Sequence, residues 1–564
     1  MTELTAPTGH APVTTPAAGR ALDRARAALR VPRYWALAAI LTLAAGADFY
    51  QLQREGFANL YYAAAIRSML QSWHNFFFNA FDPGGFVSVD KPPLGFWVQV
   101  ASAKLFGYSG FSILLPEALA GVASVGVLYL VVRRYFGTAP GLLAALFLAI
   151  TPISIVTNRN NTIDSLLVLT VLLAAYAVSR AAEAGRLRWL LLGAVLVGLG
   201  FNIKMLEAYL VVPALGALYL FGAPLGWWRR LWHLLLAGVV LVALSLSWLL
   251  AVDLTPANLR PYVGSSGSNS ELALVLGYNG IQRLLGQIFR IQANVARATA
   301  NATGPLGPGG VSENGAQGVF RLLNAQLGGQ ASWLLALGIL GMLATGWGLA
   351  PRAFVRALPE RFRAWRASAG ERRAARLAPT ASALALWGLW TLTMVVFFSV
   401  AGFYHRYYLS MLAPGIAALA GIGVVLLWRD YRATHSSGWR GWLLPLALVA
   451  TAMTQGVILT SYADWSRWMT PLVVVATLVA AGALVWLRIA AIRQQNAQLA
   501  EPIPSALLAL PEADEPGTLV VESLPPESPT RPASRSNRSF AWRAWAVAPL
   551  LAVSLGVAAL LAGP

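Results

Sequence analysis

The sequence predicts an all-α polytopic membrane protein, and three observations carry that prediction. Of 564 residues, 57% are hydrophobic and only 12% charged, with a mean hydropathy of +0.59; soluble domains are roughly half apolar. The apolar residues are gathered into blocks of about the 20 residues that a bilayer span requires. Arginine then falls in alternate connections between those blocks, as the positive-inside bias demands.

The elements follow in order. Residues 1–34 form a basic tail (Arg20, Arg24, Arg26, Arg30, Arg33) expected on the cytoplasmic side. The block from Trp35 to about Tyr50 lacks a small-residue cleavage site, so it reads as a permanent helix rather than a removable signal. Further apolar blocks lie near 111–132, 139–156, 165–181, 189–203, 208–222, 231–252, 331–350, 382–402, 409–428, 442–461 and 469–488. Residues 35–488 are therefore one transmembrane module of about twelve helices. Residues 489–543, rich in Pro, Ser, Glu and Asp, read as a flexible cytoplasmic linker, and 544–564 carry a last transmembrane helix.

With the N-terminus inside, Arg133 and Arg134, Arg186 and Arg188, Arg229 and Arg230, the cluster from Arg352 to Arg376, and Arg429 to Arg440 all fall on the cytoplasmic side. Segments 51–110, 157–164, 203–207, 253–330, 403–408 and 462–468 then lie outside. In the first outer loop, Leu94–Phe106 is too short to span, and 51–71 sets Ala63, Ile66, Met69 and Leu70 beside Arg67 and Ser68; both read as interfacial helices.

Composition excludes some classes. There is no cysteine, so disulfides and thiolate metal sites are ruled out. The net charge of +19 suits anionic lipid headgroups, and no nucleic-acid recognition module is visible. Membrane lipids are expected partners; nucleic acid is not.

Once topology is fixed, the polar residues gather on one face: Asp48, Asp90, Lys91, Asn160, Asn161, Asp164, Lys204, Glu207, His405 and Arg406 all fall at outer helix ends. A transporter would instead keep charges mid-span and carry an internal repeat. The three lysines, Lys91, Lys104 and Lys204, all lie outside in a chain whose other cations are arginine. A compact ammonium suits phosphate, while snorkelling is the plainer alternative. Lys91, Lys204 and Arg406 are thus the candidate phosphate ligands. Asp90, Asp164 and Asp48 are the candidate catalytic carboxylates, with helix capping the alternative for Asp164. The run from Phe403 to Tyr408 offers a cation, an imidazole and phenols for a sugar phosphate, although an aromatic belt would look similar. Tyr62, Asn160, Asn161, Asn269, Tyr278, Asn279, Tyr407 and Tyr408 complete the candidate substrate contacts. For a divalent metal the candidates are Asp90, His74 and His405, without close ligand spacing; no organic cofactor is expected.

The string VDKPPLGFWVQVASAKLFGYSGFSILLPEALAGV, followed in order by TNRNNTIDSLLVL, GFNIKMLEAYLVVPAL and FYHRYYLSMLAPGIAAL, resembles the GT-C glycosyltransferases of family 39. These include protein O-mannosyltransferases and the lipid A aminoarabinose transferase. The resemblance covers about residues 35–430 and is strongest to a bacterial mannosyltransferase-like subgroup. It implies a GT-C transmembrane helix bundle with interfacial helices in the first extracytoplasmic loop, in the bacterial plasma membrane. It further implies a polyprenyl-phosphate sugar donor, a lipid, cell-wall glycan or protein acceptor, a metal-binding role for Asp90 and a phosphate contact for Lys91. The family's acidic pair at the start of the first interfacial helix is replaced here by Ala58 and Asn59, so the base must come from elsewhere. The reading is a membrane glycosyltransferase acting by inverting displacement, with a transporter or flippase of lipid-linked sugars as the rival.

Overall fold

The computed structural model describes residues 32–281, 314–349, 379–433 and 438–500. Among them the regular structure is helical, with two isolated β-bridges, Ala80 to Ser88 and Val87 to Tyr262. Among the described residues ten helices are long and apolar enough to cross a membrane, or eleven if one bent pair counts as a span. The chain is an all-helical polytopic membrane protein.

The order is α1 (Pro32–Phe49), α2 (Leu60–Met69), α3 (Trp73–Phe77), α4 (Leu94–Phe106), α5 (Gly110–Phe136), α6 (Thr138–Ala149), α7 (Pro152–Asn158), α8 (Asp164–Ala184), α9 (Leu187–Lys204), α10 (Val212–Gly222) and α11 (Trp227–Asp253). It continues with α12 (Glu271–Leu276), α13 (Leu335–Leu349), α14 (Pro379–Val400), α15 (Ala413–Ala433), α16 (Leu443–Leu459) and α17 (Ala463–Ala500). The expected span at 544–562, the linker from 501 to 543, the tail before Pro32 and most of the Arg352–Arg376 cluster lie outside the described residues.

Three departures from the sequence reading have local causes. The block 139–156 is not one straight helix, because α6 and α7 meet at 62°. Thr151 precedes Pro152 and takes an extended conformation (φ −72°, ψ 121°), as a pre-proline residue prefers. The blocks 189–203 and 208–222 form one apolar stretch, Leu187–Gly222, broken at Met205 (φ 51°, ψ −134°) and continued by a 3₁₀ turn. Finally, α17 runs to Ala500 rather than ending near 488, since Gln494, Gln495, Ala497, Gln498 and Leu499 are good helix formers.

Element ends match their caps. A reciprocal Ser109–Ser112 capping box starts α5, and Gly185 at φ +64° closes α8. Close helix contacts rest on small residues, as membrane packing favours. A Cβ added at Gly421 of α15 would fall within 3 Å of Pro140 and Ala144 of α6, and Gly341 and Gly423 bring α13 against α15 equally tightly. The Arg134–Glu183 and Arg440–Asp430 pairs lie at one end of the bundle. At the other end, the start of α8, the end of α9 and the entry to α15 converge with the loop before α4.

Candidate active site

Two lysine–carboxylate pairs define this end of the bundle. Lys91 donates to its neighbour Asp90 at 2.6 Å, and their side chains are 3% and 14% exposed. The loop that carries them is pinned on several sides. Asn79 donates to the Lys91 carbonyl at 2.7 Å and Asn279 to the Asp90 carbonyl at 3.0 Å. Tyr61 hydrogen-bonds the Asp90 backbone, and the Tyr278 ring lies 5.5 Å from the Lys91 ammonium.

The second pair is Lys204 with Asp164, side chains 2% and 0% exposed. Glu207 lies 3.3 Å from the same ammonium. Lys204 also sits over the rings of Tyr408 (3.7 Å) and Tyr407 (4.7 Å), close enough for cation–π attraction. Both partners stand on strained backbone. Ile163, immediately before Asp164, has φ +63°, and Met205, immediately after Lys204, has φ +51°. A left-handed conformation is unfavourable for a β-branched residue, and such strain concentrates at functional sites.

Tyr62 and Tyr407 join the two pairs. Their side chains share a hydrogen bond, and Tyr62 lies within electrostatic reach of both Asp90 and Asp164. Burial pushes the Tyr62 hydroxyl well above the usual phenol range, so it stays protonated as a donor. His405 stacks on Tyr407 (ring centroids 5.2 Å apart, 15° between planes) and faces Asp164 electrostatically. Asp90, Lys91, Tyr62, Tyr278, Asn279, Asp164, Lys204, Tyr407 and Tyr408 therefore occupy one locality.

Other residues singled out from the sequence sit elsewhere or are otherwise engaged. Asp48 accepts a hydrogen bond from Asn158 at 3.0 Å, and Asn158 accepts one from Ser165 at 2.7 Å. This chain borders a cavity of about 20 Å³, room for a single water. Asn161 straps the loop before α2, accepting from the Asn59 N–H at 2.9 Å and donating to its carbonyl at 3.1 Å. The Asn160 Oδ1 is buried without a hydrogen-bond partner among the described residues. Asn269 is gripped by Arg260, through its side-chain oxygen and its carbonyl, both at 2.8 Å. Arg406 is exposed and lies beside Tyr462. His74 bonds the Leu259 carbonyl at 3.2 Å. Among the described residues no three His, Asp or Glu groups gather at one point to hold a metal ion, and Lys91 occupies the Asp90 carboxylate. The donor set does not fit a divalent ion held by Asp90, His74 and His405 together.

Two acids that the sequence reading did not single out are fully buried. Glu117 accepts from Gln99 at 2.8 Å and from the Leu166 N–H at 3.2 Å, bracing the first turn of α8. The signal was present: an acid one residue after Pro116, inside an apolar block. Glu271 opens α12 and is 0% exposed; nothing in its spacing marked it.

Buried lysine–carboxylate pairs with aromatic hydroxyls at one end of a helical membrane bundle are what a membrane glycosyltransferase handling charged lipid carriers would need. Comparisons agree. Residues 90–248 match the family model described as dolichyl-phosphate-mannose-protein mannosyltransferase. Two Bacillus subtilis (strain 168) proteins, "Putative mannosyltransferase YycA" and "Putative mannosyltransferase YkcB", are 37% and 36% identical over 76% and 75% of this chain. The alignments span 68% and 66% of those proteins, about two thirds of their length. Among solved structures, ArnT from Cupriavidus metallidurans bound to undecaprenyl phosphate aligns with 93% of this chain and 77% of its own, at 18% identity and a TM-score of 0.38. The chain belongs to the mannosyltransferase-like membrane glycosyltransferases of GT-C family 39.

Proposed function

We propose that this protein transfers a sugar from a polyprenyl-phosphate carrier to an acceptor hydroxyl at the outer face of the bacterial plasma membrane, with inversion at the anomeric carbon. The acceptor is a lipid, a cell-wall glycan or a protein. The observation that carries the reading is the pairing of both site lysines with carboxylates around the Tyr62–Tyr407 hydrogen bond. The family model's description supports the donor class.

The chemistry follows from charge. The bond between the anomeric carbon and the phosphate oxygen breaks, and its electron pair moves onto the phosphate. The acceptor oxygen forms the new bond and gives its proton to a carboxylate. Asp90 suits that role better than Asp164, because it is 14% exposed while Asp164 is 0% exposed and held by Lys204. As Asp90 takes the proton it loses its charge. Lys91, 2.6 Å away, is then released to stabilise the charge growing on the leaving phosphate. Preorganised cations of this kind act most strongly where water is excluded, and proton acceptance by a positioned carboxylate contributes about 10²–10⁴-fold. Lys204 is fixed by Asp164 and Glu207 as the second cation, and the Tyr62 hydroxyl is a donor to a sugar or phosphate oxygen.

The test is incubation of purified protein in lipid with a panel of polyprenyl-phosphate sugars, reading the release of polyprenyl phosphate. Donor-dependent release that is lost in Asp90→Asn supports the reading. Absence of release with every donor, with cellular glycoconjugates unchanged in the same variant, removes it.

A further inference from the structure

The segment from Glu271 to Asn279 forms a wall against the Asp90–Lys91 pair. From its far end, Asn279 donates to the Asp90 carbonyl and the Tyr278 ring faces the Lys91 ammonium. At its near end is a carboxyl group with an unusual environment. The Glu271 side chain is fully buried, and neither of its oxygens has a hydrogen-bond partner among the described residues. The groups facing it electrostatically are Asp253, Arg260 and Asp90. Arg260 is committed elsewhere, to the Thr255 carbonyl at 3.0 Å and to Asn269. Asp253 is occupied as well, accepting from Ser270 at 2.7 Å and from the Glu271 and Leu272 N–H groups at 2.7 and 3.1 Å. Among the described residues Arg260 is the cation that faces Glu271, and it makes no hydrogen bond to it; an ionised carboxylate buried without donors is costly.

We propose that Glu271 is a positioning residue that carries a proton at working pH, so that it adds no negative charge to that of Asp90, and that losing this proton weakens binding of the anionic donor. The proposal rests on the donor class argued above. Burial, with the like charges of Asp253 and Asp90 nearby, pushes the Glu271 carboxyl up to about 8, so the change falls just above neutral pH. Below that point Glu271 adds no charge to that of Asp90 beside Lys91. Above it a second negative charge faces the phosphate of the incoming lipid. Pairs of carboxyls whose environments drive them apart in this way divide acid and base roles.

Two measurements test it on the full-length protein in lipid. The first is infrared titration of the protonated-carboxyl band, wild type against E271Q. A band present at pH 7, lost on raising the pH through about 8 and absent from E271Q supports the proposal. A spectrum at pH 7 identical in the two proteins overturns it. The second is the affinity for undecaprenyl phosphate between pH 6 and pH 9.5. Wild type is expected to weaken about tenfold above pH 8, while E271Q, an isosteric neutral mimic, holds its affinity. An alkaline loss unchanged in E271Q, or loss of binding by E271Q at pH 7 with its unfolding profile intact, overturns the proposal. If wild type binds no undecaprenyl phosphate at any pH, the donor reading falls, and with it the binding half of this proposal, while the infrared titration still decides the protonation.

Discussion

Replacing Lys204 with methionine separates what the site does for folding from what it does for chemistry. The substitution keeps most of the side-chain length but removes the charge that Asp164 and Glu207 share, with those side chains 0% and 5% exposed. Breaking one member of a buried ion pair costs about 3–5 kcal/mol, whereas replacing both members with neutral groups is often close to neutral. Lys204→Met should therefore lose about 3–5 kcal/mol of stability. Asp164→Asn, which leaves Lys204 with Glu207 as partner, should lose less. The double variant Asp164→Asn/Lys204→Met should lose less than the two single losses together, by a coupling of about 2 kcal/mol, within the range for contacting residues. Chemical unfolding in mild detergent, followed by tryptophan fluorescence, completes the double-mutant cycle. Transfer should stay at least about 100-fold down in the double variant, as expected when a cation serving the transition state is lost. The reasoning is refuted if the three variants are equally stable, or if the double variant transfers sugar at the wild-type rate.

Further predictions follow from single contacts. Gly95→Ala places a Cβ about 2.7 Å from the Ile163 side chain, so it should displace the strained residue that positions Asp164; the expected result is a loss of transfer larger than the loss of thermal stability, compared on one preparation. Asn161→Ala leaves the Asn59 N–H without its partner and the Asn59 carbonyl with the Ala63 N–H alone; a cost of about 1 kcal/mol is expected for the lost hydrogen bonds, read as faster proteolysis of the 51–60 segment. Glu271 starts near 4.5 and rises to about 8 when folded, so the folded state holds the extra proton between those values. Wild-type stability should fall as pH rises from about 4.5 to about 8 and then level off, and unfolding of E271Q at the same pH values should show a smaller slope; equal slopes would contradict the burial argument.

The bundle was legible because bilayer spans leave long apolar runs, and the site because polar residues are costly in lipid and so stand out once topology is fixed. That logic named Asp90, Lys91, Asp164 and Lys204, whose side chains do pair. It could not show that Lys204 and Asp164, 40 residues apart, are partners, since no helical spacing links them. Nor could it separate polar residues that strap loops from those that face the site. Asn161 and Asn269 sit in polar loops like ligands, yet their amides hold Asn59 and answer Arg260. The break at Met205 was hidden because a left-handed methionine carries no sequence signal, unlike the Thr151–Pro152 bend, which pre-proline chemistry explains. Glu271 was missed because an acid following Ser270 at a helix start looks like ordinary capping, and only burial distinguishes it.

The most direct measurement is the equilibrium affinity of the purified protein for polyprenyl phosphate, wild type against Lys91→Met and the double variant Asp90→Asn/Lys91→Met. The account predicts that both variants remain folded and bind about tenfold or more weakly, since a charge-assisted phosphate contact is worth about 1.5–3 kcal/mol, with added salt reducing the wild-type affinity more than theirs. Affinity that is unchanged in both variants would contradict a lysine-held phosphate at this site.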